Sequence, residues 1–191
     1  MRKKIIIGSI VLLLIIVYII LVVRVNVVDN YNVKRQYRDV GESEVYKDCS
    51  IKINQHSLLS EEDFRNKYQI NENIYTSSYE GKKRYLIVEA ECTKLEDSTE
   101  GSREDAIKLY DLMFVNDIWA TTVDLDLYYI FNGDKSYGDL AKGEKMKVIY
   151  PVVIKDSHIS KKGWEKLETT PMYLQMLDYD GHEYYTMMRI F

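Results

Sequence analysis

The sequence predicts a mainly β protein: an antiparallel β-sandwich carrying one or two short helices, preceded by a single membrane-spanning helix. Three observations carry this. Residues 5–23 (IIIGSIVLLLIIVYIILVV) form one uncharged, proline-free run. From residue 45 onward about seven segments alternate apolar and polar side chains at the period of two that a half-buried strand requires. Turn residues separate those segments, with none of the long helical stretches that crossovers in a parallel sheet need.

The apolar run opens at Ile5 and closes at Val23, and only Gly8, Ser9 and Tyr18 interrupt its aliphatic character. As a helix it would measure about 28 Å, close to the hydrocarbon thickness of a bilayer. A buried helix of a globular domain would show polar residues every three or four positions. A cleavable signal peptide would have a shorter apolar stretch and a small-x-small site. Leu21, Val22, Val23, Arg24 and Val25 supply none, and the first cysteine, Cys49, stands too far on for a lipoprotein signal. The reading is an uncleaved signal anchor, with the lipid bilayer as its partner.

Arg2, Lys3 and Lys4 precede the run with no acid among them, whereas the segment after it mixes both signs. The unopposed basic cluster belongs in the cytoplasm. The expected organisation is a cytoplasmic tail at 1–4, a signal anchor at 5–23, a juxtamembrane linker at 24–44 and an extracellular domain at 45–191. A tail of four residues holds no signalling domain. All 30 acidic residues lie beyond residue 24, where 22 of the 26 basic ones also lie, so the exported part carries a net charge of −8. That balance disfavours a nucleic-acid groove or a polybasic lipid-binding surface.

Within 45–191, Cys49, Ile51 and Ile53 alternate with Ser50, Lys52 and Asn54. Ser60, with Asp63 three residues later, marks the start of a short helix running to about Tyr68. Residues 84–95 (RYLIVEAECTKL) form the clearest strand, with Leu86, Val88, Ala90 and Cys92 facing one way. Residues 96–104 read as a polar loop, 109–115 as a buried strand and 121–131 as another. In the last of these Val123, Leu125, Leu127 and Tyr129 alternate with Asp124, Asp126 and Tyr128, and Asn132-Gly133 reads as a hairpin turn. Residues 145–154 give a strand in which Pro151 indicates an edge or bulge. A second capped helix is expected at 160–167 around Trp164. A hairpin closes the chain, 172–179 and 182–191 about Asp180-Gly181, setting Met176 opposite Tyr185 and Leu174 opposite Met187.

Tyr85-Leu-Ile-Val-Glu-Ala-Glu-Cys-Thr93, the loop Leu140-x-x-Gly143-Glu144, Trp164 on its short helix and the closing hairpin together give a resemblance. Residues 45–191 resemble the immunoglobulin-like (telokin-like) domains of uncharacterised single-pass surface proteins in Gram-positive bacteria. The resemblance implies an Ig-like sandwich on a bacterial surface and no functional residues. Lys94 departs from it, standing where such domains often carry Asn.

Chemical motifs are sparse. His56, His158 and His182 lie far from one another and from either cysteine, which gives no local metal-ligand spacing. Gly-x-Ser-x-Gly and Gly-x-x-x-x-Gly-Lys are absent, and no cofactor is expected. Cys49 and Cys92 are too few for a disulfide framework. They read as buried thiols or, in an exported domain, as a possible disulfide. Asp124 and Asp126 are the one carboxylate pair, on one strand face about 7 Å apart, a spacing a glycosidase could use; the plainer reading is the polar face of an amphipathic strand. The 17 tyrosines include Tyr179, Tyr184 and Tyr185 near the last hairpin. These are candidate binding residues, because Tyr offers a stacking face and a hydroxyl. The expected function is a non-enzymatic, membrane-tethered binding or accessory module whose partner is a membrane or cell-surface protein. The alternatives are a small surface hydrolase using the paired carboxylates, and a subunit of a membrane sensor or transporter.

Overall fold

The computed structural model describes residues 15–18, 34–72, 74–96, 112–134, 137–176 and 184–191. Residues 15–18, within the apolar run, are helical; the remainder of 5–23 lies outside the described residues. No helix among the described residues is long and apolar enough to cross a membrane. The folded unit spans 35–191.

Nine strands and three α-helices are described: β1 (Lys34–Arg38), β2 (Ser43–Tyr46), β3 (Cys49–Ser60), α1 (Glu61–Tyr68), β4 (Lys83–Lys94), β5 (Leu112–Val115), β6 (Ala120–Thr122), α2 (Leu125–Asn132), β7 (Lys145–Lys155), α3 (Lys161–Lys166), β8 (Tyr173–Met176) and β9 (Tyr184–Arg189). They form two sheets, β1-β9-β8-β5-β6 (sheet A) and β2-β3-β4-β7 (sheet B), with antiparallel pairing between β2 and β3, β3 and β4, β4 and β7, β5 and β6, β5 and β8, and β8 and β9. The alternation on β4 works as expected. Leu86, Val88, Ala90 and Cys92 turn inward and join Cys49, Ile51, Val148, Tyr150, Leu112, Phe114, Leu174 and Met188 in the core.

Sheet B is apolar on its second face as well. Tyr85 and Ile87 point outward into another cluster with Phe64, Ile70, Tyr75 and Leu127, roofed by α1 and α2. Phe64 stacks on Tyr85 at 4.0 Å with an interplanar angle of 4°. The α1 helix starts where Ser60 and Asp63 place it: the Asp63 amide donates to Ser60 Oγ at 3.1 Å, and that hydroxyl donates to the Asp63 carboxylate at 2.6 Å. In α3 the Gly163 amide donates to Ser60's counterpart, Ser160 Oγ, at 3.2 Å.

Four expectations are corrected. Residues 34–44 are not linker, because β1 lies within sheet A and β2 within sheet B. The half-buried positions of β1 are Gln36 and Arg38, so no apolar alternation marks it in the sequence. The connection turns at Gly41, whose φ of +83° suits glycine, and Arg38 pairs with Glu44 across it. The expected strand at 121–131 is a short β6 followed by a helix. Asp124 caps α2 by accepting from the Leu127 amide at 3.0 Å, and this favours helix over extension. Leu125 and Tyr129, which strand alternation would have buried, are 54% and 56% exposed; Leu127 is buried completely. Asn132-Gly133 is accordingly a helix end, with the Gly133 amide donating to the Tyr129 carbonyl at 2.9 Å. In the last hairpin Met176 faces Thr186 and Leu174 faces Met188, one residue beyond the expected register. A slip of one exchanges the faces of β9, so Met188 turns inward and Met187 outward. The Asp180-Gly181 turn lies outside the described residues.

Pro151 behaves as an edge residue. Strand β7 closes sheet B, and the Asn132 side chain satisfies its open edge by donating to the Ile149 carbonyl at 2.8 Å and accepting from the Ile149 amide at 2.9 Å. The Pro151 carbonyl, on the same side, accepts from the Asp124 amide at 2.9 Å. Both ends of α2 thus seal the edge that would otherwise template further strands.

Candidate functional site

The two sheets differ in how their outer faces are treated. Part of the outer face of sheet B lies under α1 and α2. On sheet A the register puts Met113, Gln175 and Met187 in one outward row, and Val115, Tyr173 and Arg189 in the next. On β1, Arg35 and Tyr37 are exposed, and the Tyr37 ring meets Tyr173 edge-on at 5.4 Å. These strands and the β5–β6 connection enclose a groove of about 250 Å³, to which no helix contributes. Its floor is thioether and aliphatic (Met113, Val115, Met187), with Arg35 and Asp117 also in its lining. Tyr, Met and Arg are the side chains enriched where proteins meet. Methionine adapts its shape to what lies against it.

The sequence-predicted residues are placed as follows. Tyr185 is half-buried on β9, Tyr184 belongs to the same strand, and Tyr179 and His182 lie outside the described residues. The aromatic groups on the sheet A groove are instead Tyr37 and Tyr173. Asp124 and Asp126 are not paired on a strand face: Asp124 is a helix cap that also accepts from the Tyr75 hydroxyl at 2.9 Å, and Asp126 stands in the first turn. The hydrolase geometry built on them is therefore lost. Burial, reinforced by the Asp124 charge, pushes the Tyr75 phenol far above its usual range.

Cys49 and Cys92 are free and buried. Cys49 faces Lys94 across the β3–β4 ladder, and Cys92 faces Ile51. Burial, followed by the charge of Asp48 and a 3.4 Å hydrogen bond to it, pushes the Cys49 thiol up to about 12. Burial also raises Cys92, whose sulfur lies 3.8 Å from the Tyr150 hydroxyl; Tyr150 in turn bonds Tyr137. His56 stacks on Phe191 at 4.9 Å, and burial lowers its pKa. No group of three His, Cys, Asp or Glu among the described residues could hold a metal ion.

Sheet pairing, two packed layers and a shared core define a β-sandwich domain. The chain belongs to the family described as Domain of unknown function (DUF5028), whose model matches residues 31–179. The match starts upstream of residue 45, in agreement with the inclusion of β1 and β2 in the fold. An uncharacterised β-sandwich protein from Clostridium difficile is similar, at 15% identity and a TM-score of 0.42 over 83% of this chain and 97% of its own. So is a conserved hypothetical protein from Bacillus anthracis, at 16% identity and a TM-score of 0.44 over 80% of this chain and 94% of its own. No curated protein matches.

Proposed function

We propose that this chain is a membrane-tethered, non-enzymatic accessory module on the outer surface of a Gram-positive bacterium. In this reading it is an Ig-like sandwich that docks a second membrane protein on the outer face of sheet A. The observation that carries it is the asymmetry of the two outer faces: helices roof part of sheet B, while sheet A presents exposed Tyr37 and half-buried Tyr173 and Met113 around an open groove with buried Met187 in its lining. The occupant is an ectodomain segment of the partner that lays an apolar side chain on the methionine floor. The tether argues for a membrane-bound partner. Ten residues separate Val23 from Lys34, and fully extended they reach at most about 35 Å. A domain held that close to the lipid meets other membrane proteins at high effective concentration.

The test is photo-crosslinking in intact cells, with p-benzoylphenylalanine in place of Tyr37 or Tyr173 and, as control, in place of Lys52 on sheet B. Adducts to one integral membrane protein from the two tyrosine positions, absent at Lys52, are expected. Identical adducts at all three positions, or adducts only to wall polymer, would overturn the reading.

A further inference from the structure

We infer that the uncovered end of sheet B is a binding site for a small zwitterion of dipeptide size, separate from the docking face and independent of it. A cleft of about 480 Å³ opens beside the C-terminal end of α2, within the range of small-ligand sites. A β-bulge shapes its rim. The β3–β4 register shifts between Ile53 and Gln55, so Asn54 and Gln55 crowd the place of one residue, opposite Glu89. Bulges re-aim side chains in this way and recur beside binding sites. Without the shift, Gln55 would face the core.

Four polar side chains converge on the cleft: Asn54, Gln55, Glu89 and Lys147. Among the described residues Asn54, Gln55 and Glu89 make no hydrogen bond or ion pair, while Lys147 stands opposite Glu91 and adds its charge to that of Lys145 in holding the Glu91 carboxyl below its usual range. Their neighbours are engaged: Glu91 takes Lys145 at 2.8 Å, and the Asn132 amide is committed to Ile149 and Tyr128. Glu89 faces Ile149 across the ladder, and Lys147 faces Glu91. Glu89 and Lys147 are therefore diagonal neighbours, about 7–8 Å apart at the backbone, close enough to serve one ligand yet not joined to each other. Glu89 is half-buried, whereas Lys147 is exposed.

The end of α2 supplies the second observation. Its last turn contains no basic residue, and the partial negative charge of the helix end favours a cation nearby; the Asn132 side-chain amide and the Gly133 amide already donate to the Tyr128 and Tyr129 carbonyls. An ammonium group fits between Glu89 and this helix end. A carboxylate fits at Lys147, and the Asn54 and Gln55 amides line the same cleft across β4. The two charges of a dipeptide lie on the order of 5–7 Å apart, which suits that separation. Phe131, the remaining wall, offers an apolar surface for a small side chain.

The experiment uses the full chain in detergent micelles, titrated by calorimetry with alanylalanine, with N-acetylalanylalanine and with alanylalanine amide. Saturable binding is expected for alanylalanine alone, with at least tenfold weakening for each capped compound. Glu89→Gln should cost affinity for alanylalanine while leaving the weak affinity for the N-acetyl compound unchanged, and Lys147→Met should do the same toward the amide. Lys147 is exposed and Glu89 half-buried on the outer face, outside the core, so both variants should fold, which circular dichroism checks. Absence of saturable binding at millimolar alanylalanine, or equal affinity for the capped forms, would overturn the proposal.

Discussion

Lys94 is the one charged residue buried among the described residues, and its removal tests how the sandwich closes at one end. The side chain is completely buried, and its ammonium pairs with Asp48, itself only 17% exposed. The backbone of the same residue is held by the 140–144 loop: the Lys94 amide donates to the Glu144 carbonyl at 2.9 Å, and the Gly143 amide donates to the Lys94 carbonyl at 2.8 Å. Asp48→Ala leaves a fully buried ammonium with no counter-charge, a change that costs about 3–5 kcal/mol. For a domain of this size that corresponds to a fall in Tm of roughly 10 °C. Lys94→Met removes the charge that suffers the desolvation and keeps most of the volume, leaving a carboxylate that still reaches water. It should cost about 1–2 kcal/mol. The double variant should therefore be more stable than Asp48→Ala alone. Urea unfolding of the full chain in detergent, followed by tryptophan fluorescence, gives all three values. An Asp48→Ala variant within about 1 kcal/mol of the wild type, or a double variant less stable than either single one, would refute the reasoning.

With the Cys49 thiol raised to about 12 by burial and by Asp48, neither cysteine should react with iodoacetamide at pH 8 in the folded chain, and both should react in denaturant; mass spectrometry counts the adducts. Burial, ahead of the Glu61 charge, pushes Tyr85 up to about 12, and burial, ahead of Cys92, does the same to Tyr128, against an ordinary value of 10. The fold keeps both phenols neutral while the unfolded chain ionises them. Stability should be intact below pH 10 and fall as pH rises through 12, seen as a delayed tyrosinate absorbance that coincides with loss of circular dichroism. Asn132→Ala strips the edge of β7 of the side-chain cover that Asn132 gives Ile149. It should cost about 1–3 kcal/mol and raise the aggregation rate, measured by light scattering.

The parts of the fold that could be read from the sequence are those where one face is apolar and the other is not. The second half of β4 and the first half of β3 show that contrast, and Ser60 and Ser160 announce α1 and α3 by a local hydrogen bond that needs no tertiary context. Strand β1 is hidden because its half-buried positions are Gln36 and Arg38, polar side chains that leave no apolar alternation. Helix α2 is hidden for the opposite reason. Leu125 to Ile130 is apolar in nearly every position, so both periods fit, and the Asp124 cap decides. The docking face needed the true register of β9, which depends on a connection the sequence read as two residues long. The cleft needed the bulge at Asn54, and no residue pattern marks where a strand gains one. Glu89 reads as an ordinary polar-face residue; what singles it out is the lack of a partner among the described residues, a property of the folded chain alone.

Sidedness is the most direct test of a tethered, exported sandwich. With both native cysteines buried, a Glu80→Cys variant carries one exposed thiol. Intact cells treated with a membrane-impermeant maleimide should label that thiol as fully as lysed cells do. Labelling that appears only after lysis would contradict an extracellular domain.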